Sequence, residues 1–375
     1  MRQGNSLGAG TDTIVMTMKD NIRLAIITTH PIQYYAPVFM LLSKKTELMV
    51  FYTKDKIIDK GFQRKIEWDI PLLEGYEYLF AGRGLLQKVK EFKPQSILIY
   101  GWAHISHFMI MKYFKGRIPI IFRGDSTLLA EQSFMRNIVR QLALSFIYKH
   151  VSKALYVGKN NKAYFRRYGL KKTQLVFAPH AVDNERFAKP VKSDIRNNLK
   201  LEPNDVLILY AGKFEPIKNP DLLLQAFIQL HLPNTYLLFT GDGVLKDRLQ
   251  AMSNLHEKVH FLPFQNQSQM PAVYQACDLF CLPSNNDSWG LAVNEAMAAS
   301  KAILVSDKVG AAADLVRSEN GKIFRHNDLE DLKKNLLDLV TDIPGLKQKG
   351  KASSKIINDW TFQIQAQNVL DAISK

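Results

Sequence analysis

Only two cysteines occur in 375 residues, Cys277 and Cys281, four apart and without a neighbouring histidine. That excludes a disulfide framework and makes a poor metal site, so both read as buried apolar fillers. Long apolar runs are also missing: none reaches the length of a bilayer span, and the first 20 residues lack the apolar core of a signal peptide. The chain is therefore expected in the cytosol. A dinucleotide fingerprint is absent, because the turn Gly241-Asp242-Gly243 lacks the third glycine at the required spacing. Residues 201–375 contain no Asp-x-Asp pair of the kind that holds a divalent metal.

Acidic residues are scarce in one half of the chain. Residues 1–200 hold 33 Lys+Arg against 15 Asp+Glu, whereas residues 201–375 hold 17 against 20. A basic first half suggests an anionic partner, whether a membrane surface, a phosphorylated acceptor or nucleic acid. Apolar residues make up 46% and charged residues 23%, ordinary values for a globular protein, and 375 residues exceed what one core holds. Two domains are expected.

Residues 1–20 are polar and aperiodic and read as a disordered leader. Short apolar runs follow at Ile22–Thr28, Glu47–Thr53, Tyr76–Phe80, Ser96–Tyr100, Ile118–Phe122, Ala154–Val157 and Leu175–Ala178, with helical stretches such as Leu85–Phe92 and Ser133–Val151 between them. Lys54–Asp69 is a charged insertion. Strand and helix alternating in this way argue a parallel sheet covered on both faces. Ligands of such sheets bind at the carboxyl ends of strands, which here carry His30, Gly101–His104, Arg123–Ser126, Gly158 and His180. Within Ser133–Val151, Phe134, Ile138, Leu142 and Phe146 recur at helical spacing with Arg136, Arg140 and Lys149 around them, and this stripe is expected to pack on the sheet in preference to the alternative, insertion into lipid.

Lys189–Asn204, charged and with two prolines, reads as the linker. A second alternation begins with strand Val206–Ala211, the loop Gly212–Pro220 and helix Asp221–Leu230. It continues through Tyr236–Thr240, Val259–Phe264, Leu279–Leu282 and Ala302–Ser306. Trp360 opens an amphipathic C-terminal helix.

The most informative stretch is Ser284–Ala299. A buried strand ended by Pro283 leads through a loop carrying Asp287 into the helix formers Leu291–Ala299. Ser288 is a candidate N-cap, and Gly290 allows close backbone approach. The amides of Gly290, Leu291 and Ala292 then form an anion site at a helix N-terminus. Glu295 lies one turn inside and leans back toward the same ligand.

This stretch resembles the acid-x7-acid signature of retaining GT-B glycosyltransferases of family 4 (glycosyl transferases group 1), Glu-x-Phe-Gly-Leu-x-x-x-Glu-Ala. Asp287 stands at the first acid and Trp289 at the Phe. His30-Pro31-Ile32-Gln33-Tyr34 and Trp68–Tyr76 resemble motifs of a bacterial subgroup, and Gly212-Lys213 with Lys218-Asn219 resembles the segment whose two cations hold the donor diphosphate. The resemblance covers about residues 22–375. It implies a GT-B fold: α/β, two doubly wound Rossmann-like domains facing across a cleft. The first, at 21–195, binds the acceptor and the second, at 204–358, the nucleotide sugar, with helix 359–375 crossing back to the first.

The implied activity is retaining transfer of a sugar from a nucleotide diphosphate donor to a glycan or lipid-linked acceptor, with no cofactor and no metal. Asp287 would hold sugar hydroxyls, and Glu295 the ribose. Lys213, Lys218 and the Gly290 terminus would stabilise the leaving diphosphate, and Val259–Phe264 would read the base by its backbone. Arg123 stands where relatives have a histidine near the sugar. It is a cation toward the sugar or a structural partner of Asp125, but not a base. His30 contacts the acceptor or caps its loop, and His104 serves an acceptor hydroxyl or is simply solvated. Two rivals remain: a nucleotide-sugar epimerase on the same fold, and a basic nucleic-acid-binding protein whose candidate segment is Tyr164-Phe165-Arg166-Arg167-Tyr168. An anionic membrane surface is the partner suggested by residues 101–200, with 19 Lys+Arg against 5 Asp+Glu. Binding to it is expected to be reversed by salt.

Overall fold

The structure is a computed structural model that describes residues 22–54, 68–130 and 134–374. The leader at 1–20 and most of the charged insertion lie outside the described residues.

Seven strands form the first sheet: β1 (Arg23–Thr28), β2 (Glu47–Tyr52), β3 (Glu77–Phe80), β4 (Ser96–Tyr100), β5 (Ile120–Arg123), β6 (Lys153–Tyr156) and β7 (Leu175–Phe177). All pair in parallel, in the order β3-β2-β1-β4-β5-β6-β7. The continuous apolar runs have a direct cause, since both faces of such a sheet are covered. Leu24 and Ile26 of β1 join one apolar layer with Leu98 and Tyr100, and Ala25 and Ile27 join the other with Ile97 and Ile99.

The second sheet contains β8 (Val206–Ala211), β9 (Thr235–Thr240), β10 (Val259–Leu262), β11 (Leu279–Leu282), β12 (Ala302–Ser306) and β13 (Gly321–Phe324), in the order β10-β9-β8-β11-β12-β13. The chain therefore folds as two Rossmann-like domains. Strand order reverses beside β1 and again beside β8, and a doubly wound sheet opens its binding crevice at such a point. The loops brought there are those after β1 and β4 in the first domain and after β8 and β11 in the second.

The passage between domains lies earlier than its charge pattern suggests. Val182 and Phe187 are already part of the second domain's core, and Ile195 and Leu199 pack against it. Arg196 clamps this stretch by donating to Asp278 Oδ2 at 3.0 Å and to the Asp205 carbonyl at 2.7 Å. The polar look of Lys189–Asn204 comes from residues lying on a domain surface rather than spanning between domains.

The C-terminal helix, Phe362–Ile373, is capped by the Thr361 hydroxyl and packs on the Ala36–Ser43 helix of the first domain. Just before it, Trp360 stacks on Trp289 at 5.1 Å and meets Phe177 edge-on at 5.3 Å. One aromatic column thus touches both sheets.

The helix at Phe134–Tyr148 differs from expectation. Leu144 and Tyr148 are its residues buried in the first domain's core. Ile138, Leu142 and Phe146 are exposed and do not pack on the sheet. Two apolar stripes compete on this helix, and only one can face the strands.

The C-terminal helix should carry measurable stability. Phe362 is buried in the apolar layer shared by β1 and β4, so Phe362→Ala is expected to cost about 3–5 kcal/mol. Urea unfolding followed by circular dichroism would check this; an unchanged transition would mean that the helix is not integral to the first domain.

Candidate active site

The loop after β11 is held on both sides by backbone. Asn285 N–H donates to the Ile217 carbonyl at 2.8 Å, joining it to the loop after β8. Asp287 N–H donates to the Lys308 carbonyl at 3.0 Å, and Gly310 N–H donates back to the Asp287 carbonyl at 2.9 Å. A side chain at Gly310 would collide with the Ser288 carbonyl, which explains why the turn after β12 can lie so close. Three segments far apart in sequence, 212–219, 284–290 and 308–310, are thereby locked together.

Lys218 Nζ lies 2.6 Å from Asp287 Oδ2, and both side chains are largely shielded. This is a charge-assisted contact in reduced dielectric, stronger than an exposed pair. Lys213 sits half-buried on the same loop, with its carbonyl accepting from Tyr210 Oη at 2.7 Å. Beside it, Gly212 lies so near Gly241 that a side chain there would collide with the Gly212 carbonyl.

Gly290 ends the loop at φ +88°, and a Cβ added there would lie 2.9 Å from Val309 Cγ1. It is the N-cap residue of the Leu291–Ala298 helix, which has no side-chain cap. Ser288 is therefore not the N-cap. Its hydroxyl donates instead to Asp125 Oδ2, 3.0 Å away in the first domain. Gly290, Leu291 and Ala292 form the helix entry, where the first amides have no intrahelical acceptor.

Glu295 is only 4% exposed. Its carboxylate accepts from Tyr34 Oη at 3.0 Å and from Tyr274 Oη at 2.8 Å, one tyrosine from each domain. Burial raises its pKa above the ordinary value, against the hydrogen bonds from Tyr274 and Tyr34, which lower it. Trp289 and Asn294 complete this turn. Trp289 Nε1 donates to Asn294 Oδ1 at 2.9 Å, and Asn294 Nδ2 donates to the His180 carbonyl at 3.0 Å.

Arg123 requires a correction. Its side chain is 2% exposed, and it donates to the carbonyls of Ala178 and Pro179 at 2.9 and 3.0 Å. It is neither a cation presented to a ligand nor the partner of Asp125. Its guanidinium turns back under the strand end and fixes the turn carrying His180. Asp125 stands near His180 instead, with Oδ2 3.8 Å from Nε2. Burial raises the Asp125 carboxyl, but the His180 ring and the Ser288 hydroxyl outweigh it and hold the group at about 2. Burial lowers the His180 pKa, which favours the neutral ring.

His30 follows β1, and its Nδ1 lies 2.8 Å from Thr29 Oγ1. His104 is the N-cap residue of the Ile105–Phe114 helix but makes no side-chain cap, and its ring lies 5.2 Å from that of His107. Phe264 meets Trp68 of the first domain at 6.5 Å. Next to that contact, Asp69 accepts from Ser268 N–H at 3.1 Å. The aromatic residues of the basic segment, Tyr164, Phe165 and Tyr168, are buried, so none is available to stack on a base.

The site therefore gathers Asp287, Lys218, Lys213, Gly212, Ser288, Gly290 and the helix entry at the second domain's crevice. Asp125, His180 and Tyr34 face them from the first. Sequence reasoning named His180 and Tyr34 only as parts of a strand end or a motif, and Asp125 only at a strand end and as a partner for Arg123. Their contacts to Ser288, Asn294 and Glu295 cross domains and leave no local signal.

Residues 191–355 match the family model of glycosyl transferases group 1. Among curated relatives, the D-inositol 3-phosphate glycosyltransferase of Rhodococcus erythropolis is 25% identical over 226 residues, covering 57% of this chain and 51% of that protein. The enzyme of the same name from Stackebrandtia nassauensis is 29% identical over 214 residues, covering 53% and 48%. The chain spans about half the length of the curated relatives it matches. Anabaena HepE, solved in complex with UDP and glucose, superposes with a TM-score of 0.74 at 16% identity, covering 94% of this chain and all of that one. WaaG, a glycosyltransferase involved in lipopolysaccharide biosynthesis, superposes at 0.67 and 14% identity, covering 94% and 99%. The fold is GT-B, and residues 191–355 resemble the glycosyl transferases group 1 model.

Two consequences are measurable. Above the ordinary carboxyl value of 4.5, a group with a raised folded pKa binds more protons folded than unfolded. Its contribution to stability therefore falls as pH rises toward the folded value. Glu295→Gln should remove that fall, so its stability relative to the parent should improve steadily from pH 4.5 upward in urea titrations. A pH-independent difference would count against a raised Glu295. Gly290→Ala should be strained by about 1 kcal/mol or more from its backbone angle alone, before the Val309 clash. Thermal melting would detect it, and an unshifted transition would contradict the tight entry.

Proposed function

We propose that the chain is a retaining glycosyltransferase of family 4 that moves a hexosyl unit from a UDP- or GDP-sugar to a glycan or lipid-linked acceptor in cell-surface polysaccharide synthesis. The observation that carries this reading is the 2.6 Å contact from Lys218, on the loop after β8, to Asp287, on the loop that runs into the Gly290 helix entry, facing the first domain's strand ends. A cation and a helix N-terminus together suit a diphosphate, and a carboxylate beside them suits sugar hydroxyls. The UDP and glucose held by HepE, and the part WaaG plays in lipopolysaccharide synthesis, support the same donor and product classes.

In this reading the diphosphate lies at Lys213, Lys218 and the amides of Gly290, Leu291 and Ala292. Their positive field stabilises the charge that develops as the bond from sugar carbon to phosphate oxygen breaks. Asp287 holds the sugar hydroxyls, and Glu295 offers its remaining lone pairs to the ribose. Val259–Phe264 reads the base, with Trp68 beside it. The acceptor hydroxyl forms the new bond on the face that the phosphate leaves, and its proton passes to the departing phosphate oxygen. Retention follows, and neither a protein base nor a metal is needed. His30, His104 and Asp125 lie on the acceptor side.

Asp287→Asn should leave the affinity for free UDP or GDP nearly unchanged and lower kcat/KM with the intact donor at least tenfold. A hydrogen bond to a charged group is worth about 1.5–3 kcal/mol. Isothermal titration and a transfer assay, run with excess chelator, would test both this and metal independence. Equal weakening of the bare nucleotide would displace Asp287 from the sugar. Activity lost to chelator and restored by Mg²⁺ would overturn the metal-free route. Donor turnover without acceptor would favour the epimerase.

A further inference from the structure

The Phe134–Tyr148 helix turns an apolar face away from the protein. Met135, Ile138, Val139, Leu142 and Phe146 are all exposed, Met135 to 67% and Leu142 to 70%. Their spacing puts them on one arc of roughly 100°. The other side carries the buried Leu144 and Tyr148. A surface helix ordinarily buries one stripe and presents polar groups on the other, and this one is apolar on both. The patch continues onto the neighbouring helix, Ile105–Phe114. The Phe146 and Phe108 rings lie 5.9 Å apart, and one turn of that helix also exposes Ile105 and Met109. Contiguous exposed apolar surface of this kind marks a docking face.

The rim of the patch is basic. Arg136 and Lys149 on one helix and Lys112 on the other are exposed. Arg140 and Arg167 line a pocket with Thr127 and Asn137, next to Leu128. Neither arginine is in an ion pair among the described residues. A second copy docking through the same face would bring like charges together. Nucleic acid would match the arginines but not the aliphatic side chains, which have no ring to stack on a base. Hydrocarbon beneath a layer of phosphates matches both.

We propose that this face docks on an anionic lipid bilayer. The apolar arc sinks below the headgroups, and the exposed Arg136, Lys149 and Lys112 meet their phosphates. Fifteen residues of helix reach only about 22 Å, short of the roughly 30 Å hydrocarbon core, so the helix lies in the surface plane and does not span it. The Ile105–Phe114 helix follows β4 directly, beside the crevice, and the Phe134–Tyr148 helix packs its Phe146 against that helix's Phe108. Docking therefore brings the acceptor side of the cleft to the lipid surface. The proposal stands apart from the donor chemistry. It also changes the expectation drawn from charge alone, because buried apolar area adds a component that salt does not screen.

Flotation of the full chain with vesicles of phosphatidylcholine, with and without phosphatidylglycerol, at low and high salt, tests it. Binding to the anionic vesicles should weaken at least tenfold as salt rises, with a remainder that persists. L142D combined with F146D should lower binding at least tenfold at every salt concentration, while the melting temperature and UDP affinity stay unchanged. R136E combined with K112E should remove only the salt-sensitive part. The proposal is overturned if the parent chain ignores both vesicles or if L142D/F146D leaves binding intact. It is equally overturned if light scattering finds a dimer that L142D/F146D dissociates while vesicles remain unbound.

Discussion

A buried carboxylate shared by two domains fixes the centre of this molecule. Glu295 would be costly if left alone in its site, because an unpaired buried charge or acceptor loses its water without compensation. Tyr274 from its own domain and Tyr34 from the other remove that cost together. The same helical turn sends Asn294 to the His180 carbonyl and receives the Trp289 indole, which stacks on Trp360. The first turn after Gly290 is therefore held from both domains at once. The loop after β1 is thereby tied to that helix entry, since parting the Tyr34 hydroxyl from Glu295 leaves a buried acceptor to be satisfied by something else.

Much of this fold was legible because parallel sheets write themselves plainly. Runs such as Leu24-Ala25-Ile26-Ile27 are apolar at every position because both faces are covered, and such runs mark strands without any reference to period. The carboxyl ends of those runs then name the residues lining the crevice, and most of the loop residues near Asp287 follow from that rule. β13 at Gly321–Phe324 escaped because its four residues include Gly321 and Lys322, which break the apolar run.

The failures share a cause. Arg123, Ser288 and the Phe134–Tyr148 helix each had to choose between two local options, and the choice was made by a distant partner. Arg123 sits at a strand end, where a side chain can point into the crevice or fold under it. The carbonyls of Ala178 and Pro179, more than fifty residues on, decide for the second. Ser288 could cap its own helix, but Gly290 takes the cap in a left-handed conformation and frees the hydroxyl for Asp125. The helix carries two stripes at similar spacing. Leu144 and Tyr148 win the sheet because Tyr148 fits edge-on against Phe165 and beside Phe122. Periodicity counts stripes but does not rank them.

The seam between the domains is built differently from the cores on either side. Within each domain, the apolar layers are continuous. Across the crevice many of the contacts are polar: Asp69 with Ser268, Lys159 with Asp314, Asn160 with the Gly310 carbonyl, and Asp125 with Ser288. Such contacts are each worth about 1 kcal/mol net, because water replaces them when they part. Polar interdomain surfaces of this kind permit relative motion by default. The aromatic column of Trp289, Trp360 and Phe177 and the Trp68–Phe264 contact are apolar by contrast, and the column lies beside the C-terminal helix, where the chain crosses back.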